Sequence, residues 1–136
     1  MPPWRSIEAS FSPFVAVRHV NAPSSEPLIR LVRMTLRPDA RAAFLDRFDA
    51  AAPRIRAFDG CRRLELWEGR RFPNVCTTFS LWDDEDALDG YRESALFRET
   101  WRAVKPLFAA PPVAHSHAVL RAADAIDAAT DEAREA

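Results

Sequence analysis

The sequence is poor in cysteine, and this shortage narrows the chemistry open to the protein. Only two cysteines occur in 136 residues, Cys61 and Cys76. No CxxC pair or cluster of cysteine and histidine with metal-ligand spacing is present. The two cysteines fall on one face of a predicted hairpin but several residues out of register, whereas bridged Cα atoms lie within about 7 Å of each other. We therefore expect two reduced, buried thiols in a cytoplasmic protein.

The sequence also lacks an excess of charge of one sign and any long apolar run. The sequence has nineteen Lys and Arg residues and twenty Asp and Glu residues, which gives a net charge of −1. No overall positive field therefore attracts nucleic acid or an anionic membrane. No stretch approaches the roughly 18 apolar residues of a membrane span, and Phe14–Val17 is too short for the apolar core of a signal peptide. A Ser/His/Asp order, a phosphate loop and a dinucleotide-binding fingerprint are absent. We predict neither a nucleic-acid partner nor a membrane partner.

What the sequence does contain is a strong hairpin signal. Two runs of strand length, Arg62–Glu68 and Asn74–Trp82, are rich in Leu, Trp, Phe, Thr and Val and flank a short polar connection. If the centre of the loop lies near Arg71–Phe72, Leu64 is opposite Phe79. One hairpin is not stable alone in water, so further strands and helices must cover it.

The segment before the hairpin predicts one strand and one helix. Leu28–Leu36 carries apolar side chains on both parities, which is typical of an interior strand covered on both faces. Pro38 suits the first turn of a helix, and Pro53 within the helical pattern predicts a kink or break. The helix has a single apolar stripe, formed by Phe44, Phe48, Ala51 and Ile55.

The segment after the hairpin predicts two helices and a last strand. Asp83 is expected to cap the first, short helix, and Ser94 the second. Val113–Leu120 alternates Val and Ala with polar residues, as a strand does. The second helix carries one apolar face, formed by Phe97, Trp101, Val104 and, past a proline, Phe108.

The order β-α-β-β-α(α)-β predicts an α+β, ferredoxin-like split βαβ fold: a four-stranded antiparallel sheet with helices on one face. The other face would carry apolar groups such as Trp67 or Leu66, too many to be left in water. This predicts a homodimer that pairs sheet to sheet, a dimeric α+β barrel. We expect residues 28–120 to form the domain, 1–27 an irregular extension with one strand candidate at Phe14–Val20, and 121–136 an Ala-rich acidic tail, helical or frayed.

Two segments resemble the antibiotic biosynthesis monooxygenase family of small dimeric α+β-barrel proteins. They read IRLVRMTLRPDARAAFLDRFDAAAPRIRAFDGCRRLEL and PNVCTTFSLWDDEDALDGYRESALFRETW. The most specific parts are the FDGC turn, the strand that ends in Trp82 with acids after it, and YRESALFRETW. The resemblance covers Leu28–Leu120. Members of this family include cofactor-free oxygenases of quinols and aromatic polyketides, haem-degrading enzymes, and many proteins with no assigned activity.

The resemblance also implies which residues to compare. The haem-degrading branch uses an Asn on the first strand, a Trp at the end of the third and a His on the last helix. Here the matching residues are Val32, Trp82 and Trp101. The axial histidine is missing at that place, which disfavours haem degradation.

The cofactor-free branch needs a dry apolar pocket, a group that deprotonates the substrate, and stabilisation of the resulting anion. The candidates in this sequence for these roles are Arg33 or Arg92 to stabilise a phenolate and His115 as the base. For the aromatic residues the alternative is plain core packing; for Arg92 it is a solvated helix surface, and for Arg33 a position facing the partner sheet. The pocket walls would be Trp82, Tyr91, Phe97 and Trp101.

His115 and His117 share one face of the last predicted strand, with Ala114 and Ser116 on the other. This HxH spacing can chelate a metal, but the sequence places no third ligand beside it, so we predict neither a metal nor a cofactor. Alternation alone leaves open which pair faces the helices, and packing at the dimer interface is the alternative to catalysis by His115. Two function classes remain. The first is a cofactor-independent monooxygenase acting with O2 on a quinol or polyketide-like aromatic. The second is a non-catalytic dimeric module on the same fold that binds a small molecule, such as an aromatic ligand, or serves as an interaction module.

Overall fold

A computed structural model describes residues 26–123. The strand candidate at Phe14–Val20 and residues 124–136 of the acidic tail lie outside this range. The elements, in chain order, are β1 (Leu28–Thr35), α1 (Arg41–Arg56), β2 (Cys61–Glu68), β3 (Val75–Trp82), α2 (Glu85–Arg92), α3 (Ala95–Val104), a short 3-10 turn (Lys105–Leu107) and β4 (Val113–Ala118).

The four strands form one antiparallel sheet in the order β2-β3-β1-β4. The interior position of β1 agrees with its apolar side chains on both parities. Three helices accompany this sheet in the order β-α-β-β-α-α-β, so the predicted α+β ferredoxin-like fold is confirmed.

The register of the hairpin differs by one residue from the sequence prediction. Leu64 pairs with Ser80 rather than Phe79, because Phe72 lies at the centre of the loop and Gly69 N donates to Val75 O (2.8 Å). Since side chains alternate along a strand, a shift of one residue exchanges the two faces of the sheet. Leu64 therefore shares the helix-facing side with Ser80, while Phe79 lies on the opposite side.

The first helix departs from the sequence prediction at both prolines. It begins at Arg41, so Pro38 lies in the turn before it. It also continues through Pro53 without a break. Pro53 is exposed and lies in the last turn, where its carbonyl still accepts a hydrogen bond from Ala57 N (3.0 Å). The buried Ile55 on the opposite side of that turn keeps the helix against the sheet.

The caps of the last two helices are set by single side chains. Asp84, not Asp83, caps α2 by accepting a hydrogen bond from Ala87 N (2.8 Å). Asp83 instead accepts from Arg62 Nε (2.6 Å). Ser94 caps α3 through Phe97 N (3.1 Å), as predicted.

The turn into β2 depends on Gly60, whose φ of +89° suits glycine best. A Cβ at this position would also collide with the Cβ of Ala87 on α2. This close approach brings the start of β2 to α2, where Cys61, Trp82 and Leu88 form one buried cluster. A second cluster, around Phe44 and Met34, lies between α1 and the sheet.

The two cysteines are buried and both thiols are free. Within residues 26–123, no helix is long and apolar enough to cross a membrane.

Candidate ligand cavity

A cavity of about 410 Å³ lies between the helices and the sheet. Its lining is mostly apolar, and each of the four strands and three helices contributes at least one residue to it. The sheet contributes side chains of several sizes, from Ala114 and Thr78 to Trp82, and the helices contribute large apolar ones such as Phe48 and Leu88. Such a site fits a flat, apolar molecule of a few rings.

Aromatic rings form a continuous chain along the helical wall. Trp82 stacks on Tyr91 at 5.1 Å between ring centroids, and Tyr91 meets the edge of Phe97 at 5.2 Å. Phe97 lies parallel to Trp101 at 6.1 Å. Ser94 caps α3 and so marks where the helix begins. From that start, Phe97 and Trp101 lie one helical turn apart and both line the cavity. Five of the seven residues singled out from the sequence line this cavity: Trp82, Tyr91, Arg92, Phe97 and Trp101.

The other two, Arg33 and His115, do not line it. Arg33 pairs with Val113 and Thr77, and His115 pairs with Leu31; both are exposed on the sheet face that lies away from the helices. Strand alternation explains this placement, because their chain neighbours are the residues that face the cavity. Within one subunit, His115 cannot act as a base on a molecule in this cavity, nor can Arg33 hold its anion.

Sequence reasoning missed one of the polar residues that line the cavity, Arg30. Its side chain is only 8% exposed, and Nη1 donates to Ser116 Oγ at 2.9 Å. Ser80 is buried beside it and donates to the Arg30 carbonyl oxygen (3.4 Å), while its Oγ accepts from Trp82 Nε1 (2.9 Å). The available signal was parity, because Arg30 lies two residues before the apolar Val32 and therefore on the same face of the strand.

The charge on the cavity wall is one-sided. Among its described lining residues are two arginines, Arg30 and Arg92, and no Asp, Glu or His. Burial raises the pKa of the Tyr91 phenol to about 12, and the nearby Cys61 thiol adds to this rise. Among the described lining residues, no side chain is suited to remove a proton near neutral pH.

The residues that line the cavity also bear on whether the protein could hold haem. Val32, Trp82 and Trp101 all line it. Trp101 stands where a haem-degrading relative would need its histidine, and an indole N–H is a donor with no lone pair for iron. These residues do not fit that way of holding haem. Within residues 26–123, no three His, Cys, Asp or Glu side chains come together as a metal site.

The described residues form a small α+β domain with an apolar cavity between its helices and one face of its sheet. Residues 27–103, more than half of the chain, match the model of the antibiotic biosynthesis monooxygenase family. The chain belongs to this family. A comparison with curated proteins found no match.

Solved structures share the fold of this chain. Rv0793 from Mycobacterium tuberculosis is 31% identical, with a TM-score of 0.66 over 71% of this chain and 98% of that one. Two others show the fold alone. A Caulobacter crescentus CB15 protein, described as a candidate antibiotic biosynthesis monooxygenase, is 20% identical (TM-score 0.68; 76% and 99% covered). PA3566 from Pseudomonas aeruginosa is 21% identical (TM-score 0.64; 72% and 98% covered).

Proposed function

We propose that the protein is a cofactor-independent monooxygenase that acts with O2 on a quinol or polyketide-like aromatic. The observation that carries this proposal is the 410 Å³ apolar cavity, walled by stacked aromatic rings and holding a buried arginine. Membership of the family supports the monooxygenase part of this proposal, because the family's name describes a monooxygenase.

The chemistry proposed needs little from the protein. In a polyketide-like substrate with a ring CH2 group beside a phenol, O2 accepts four electrons from that carbon. Two C–H bonds break and a C=O bond forms; one oxygen atom becomes the new carbonyl and the other leaves as water. The substrate is the reductant and O2 the oxidant, so the equation balances. Ionisation of the phenol makes the ring electron-rich enough to begin the transfer.

The protein would bind the substrate, exclude water and stabilise the anion. Trp82, Tyr91, Phe97 and Trp101 would hold the ring plane. Arg30 and Arg92 would compensate the negative charge in a setting where little water screens it. This arrangement accounts for the positive wall without assigning a role to His115.

The second candidate is a non-catalytic module that binds a small aromatic molecule. The observation that favours it is the absence of a carboxylate or histidine from the described lining of the cavity. A binding protein needs no such group. The two candidates differ in one measurable property, which is turnover.

We also propose a homodimer formed through the sheet face away from the helices. This far face, as we call it, carries Leu31, Trp67, Phe79 and His115. Trp67 stacks on Phe79 at 5.3 Å yet is 43% exposed in the single subunit. Burial of this apolar surface would stabilise the assembly. A cytoplasmic location remains a proposal, supported by the free thiols of both cysteines.

Oxygen uptake tests the proposed function. Purified full-length protein, without added cofactor, is mixed with a panel of hydroquinones and hydroxylated polycyclic aromatics, and oxygen loss and product mass are recorded. We expect turnover for at least one acidic polycyclic phenol, with one oxygen atom from O2 in the product. Tight binding of these compounds without oxygen uptake would contradict the monooxygenase and support the non-catalytic binding module.

Two variants on β4 test whether the cavity is the site of the proposed reaction. Ala114→Phe places a ring in the cavity and should abolish turnover. His115→Ala changes the adjacent side chain, which lies on the far face, and should retain turnover across pH 6–8. Loss of turnover in His115→Ala with normal activity in Ala114→Phe would contradict the cavity as the site.

A further inference from the structure

We propose that the Thr78 hydroxyl forms a hydrogen bond with the ligand, and that it selects aromatic molecules whose hydroxyl or carbonyl oxygen reaches the middle of the sheet. This inference rests on the proposed function, since it concerns the same cavity, and it names a residue that sets the specificity of that cavity. Thr78 is not among the site residues expected from the sequence.

The first argument is the position of Thr78 in the sheet. It lies midway along β3, which β2 and β1 flank, and its side chain lines the cavity. Its pairing partners on these two strands are Leu66 and Val32, and Val32 pairs in turn with Ala114 of β4. Thr78 is therefore the one polar side chain in a row of four that crosses the whole sheet.

The second argument is that the Thr78 hydroxyl makes no hydrogen bond to any residue in the range 26–123. Ser80, the other hydroxyl on the sheet wall, is already engaged: its Oγ accepts from Trp82 Nε1 and donates to the Arg30 carbonyl oxygen. Among the described residues, no side-chain oxygen enclosed by the core lacks a partner. The Thr78 hydroxyl is therefore not enclosed, and the open space beside it is the cavity.

The third argument is the free energy lost when this hydroxyl is covered without being paired. Water can bond to the hydroxyl as long as no ligand fills the cavity. A flat ligand that packs against the sheet displaces that water. If only hydrocarbon then covers the hydroxyl, its hydrogen bond is lost and none replaces it, which weakens binding. A ligand oxygen at the same place restores the bond.

The consequence is a preference for oxygenated rings over hydrocarbons of the same shape. An apolar pocket discriminates weakly between ligands of similar shape, whereas a site with a polar group to be paired rejects a ligand that lacks the partner. Because a hydroxyl both donates and accepts, Thr78 can bond to a carbonyl or to a hydroxyl oxygen. Since the Thr78 hydroxyl is uncharged, the inference does not require the ligand to be ionised.

The alternative is that Thr78 serves the strand alone. β-Branched residues are favoured in strands, and valine would satisfy that preference equally well. Thr78→Val, which replaces the hydroxyl by a methyl group, therefore separates the two explanations. A residue that serves only the strand predicts unchanged ligand preference in this variant.

The test exchanges a hydroxyl for a methyl group on both partners, because 1-naphthol and 1-methylnaphthalene differ in the same way as threonine and valine. Equilibrium dialysis at pH 7 measures the affinity of each ligand for full-length wild type and Thr78→Val. We expect the variant to bind 1-naphthol about two- to tenfold more weakly, as loss of one neutral hydrogen bond does. Its affinity for 1-methylnaphthalene should be equal to or higher than that of the wild type. An equal change for both ligands, or no change for either, would overturn the inference.

Thr77→Val is the matched control. Thr77 directly precedes Thr78 on β3 and pairs with Arg33 and Trp67, so its side chain lies on the far face. The same chemical change at this position should leave the affinities for both ligands at their wild-type values. A loss of 1-naphthol binding as large as that in Thr78→Val would contradict the assignment to the cavity.

A second pair of variants covers the case in which Thr78→Val does not fold. Thr78→Ser keeps the hydroxyl and Thr78→Ala does not, while both remove the methyl group. The preference for 1-naphthol over 1-methylnaphthalene should persist in Thr78→Ser and fall about two- to tenfold in Thr78→Ala. The same preference in both variants would overturn the inference.

Oxygen uptake separates this inference from the proposed function. A Thr78-dependent preference for 1-naphthol, without turnover of any compound in the substrate panel, would support the inference and contradict the monooxygenase. Turnover by a protein in which Thr78→Val leaves the ligand preference unchanged would overturn the inference and support the proposed function. Binding of neither naphthalene would overturn the inference together with the aromatic cavity on which the proposed function rests.

Discussion

Tyr91 is the only tyrosine in the sequence, so its ionisation can be followed without interference from another phenol. Burial raises its pKa to about 12, from an ordinary value of about 10. The near-ultraviolet absorbance of tyrosinate therefore reports on the wall of the cavity alone. In native protein at pH 10 we expect little tyrosinate, whereas a solvated tyrosine would be half ionised.

The same shift predicts how stability depends on pH. The folded-state pKa of Tyr91 lies above its unfolded value, so its contribution is complete below about pH 10 and is lost as the pH rises towards 12. Two pKa units correspond to about 2–3 kcal/mol of unfolding free energy over that window. The unfolded chain gains from ionisation in this range, and the folded chain does not.

Tyr91→Phe is the matched variant, because it keeps the ring that stacks on Trp82 and removes the ionising hydroxyl. Urea unfolding of both proteins is measured from pH 8 to 11.5 at one fixed protein concentration. Between pH 10 and 11.5 the variant should lose less stability than the wild type. Equal losses, or a tyrosinate signal half-complete near pH 10 in folded protein, would refute the account of a desolvating cavity wall.

Two further changes test the packing and the assembly. Trp82→Ala should cost about 3–5 kcal/mol, since Trp82 is fully buried and its Nε1 donates to Ser80, whereas Trp101→Ala should cost less because its ring borders open space. Equal shifts of the urea midpoint would contradict that difference. On the far face, Phe79→Asp should reduce the mass seen by light scattering from twice to once the 15.4 kDa of the chain. A wild-type mass of 15.4 kDa at micromolar concentration would remove the proposed dimer.

The sequence by itself determined the order and the kind of the elements. Three signals were local, because each is read from neighbouring residues: the apolar side chains on both parities of Leu28–Leu36, the helical stripe around Phe44 and the cap at Ser94. The aromatic wall could also be predicted, because Phe97 and Trp101 lie one helical turn apart and must share a face.

Tertiary structure decided what faces the cavity. Side chains alternate with a period of two, so a change of one residue in the hairpin register moves every side chain to the other face, and no local signal selects between the two. Arg30 and Arg33 look alike in the sequence, yet the pairing of β1 with β3 and β4 turns the first towards the helices and the second away. The same alternation places Ser116 beside Arg30 and leaves His115 on the far face. A buried charge is stable only where the surrounding elements supply its partners. For Arg30, one such partner is the hydroxyl of Ser116, which lies on another strand and 86 residues further along the chain.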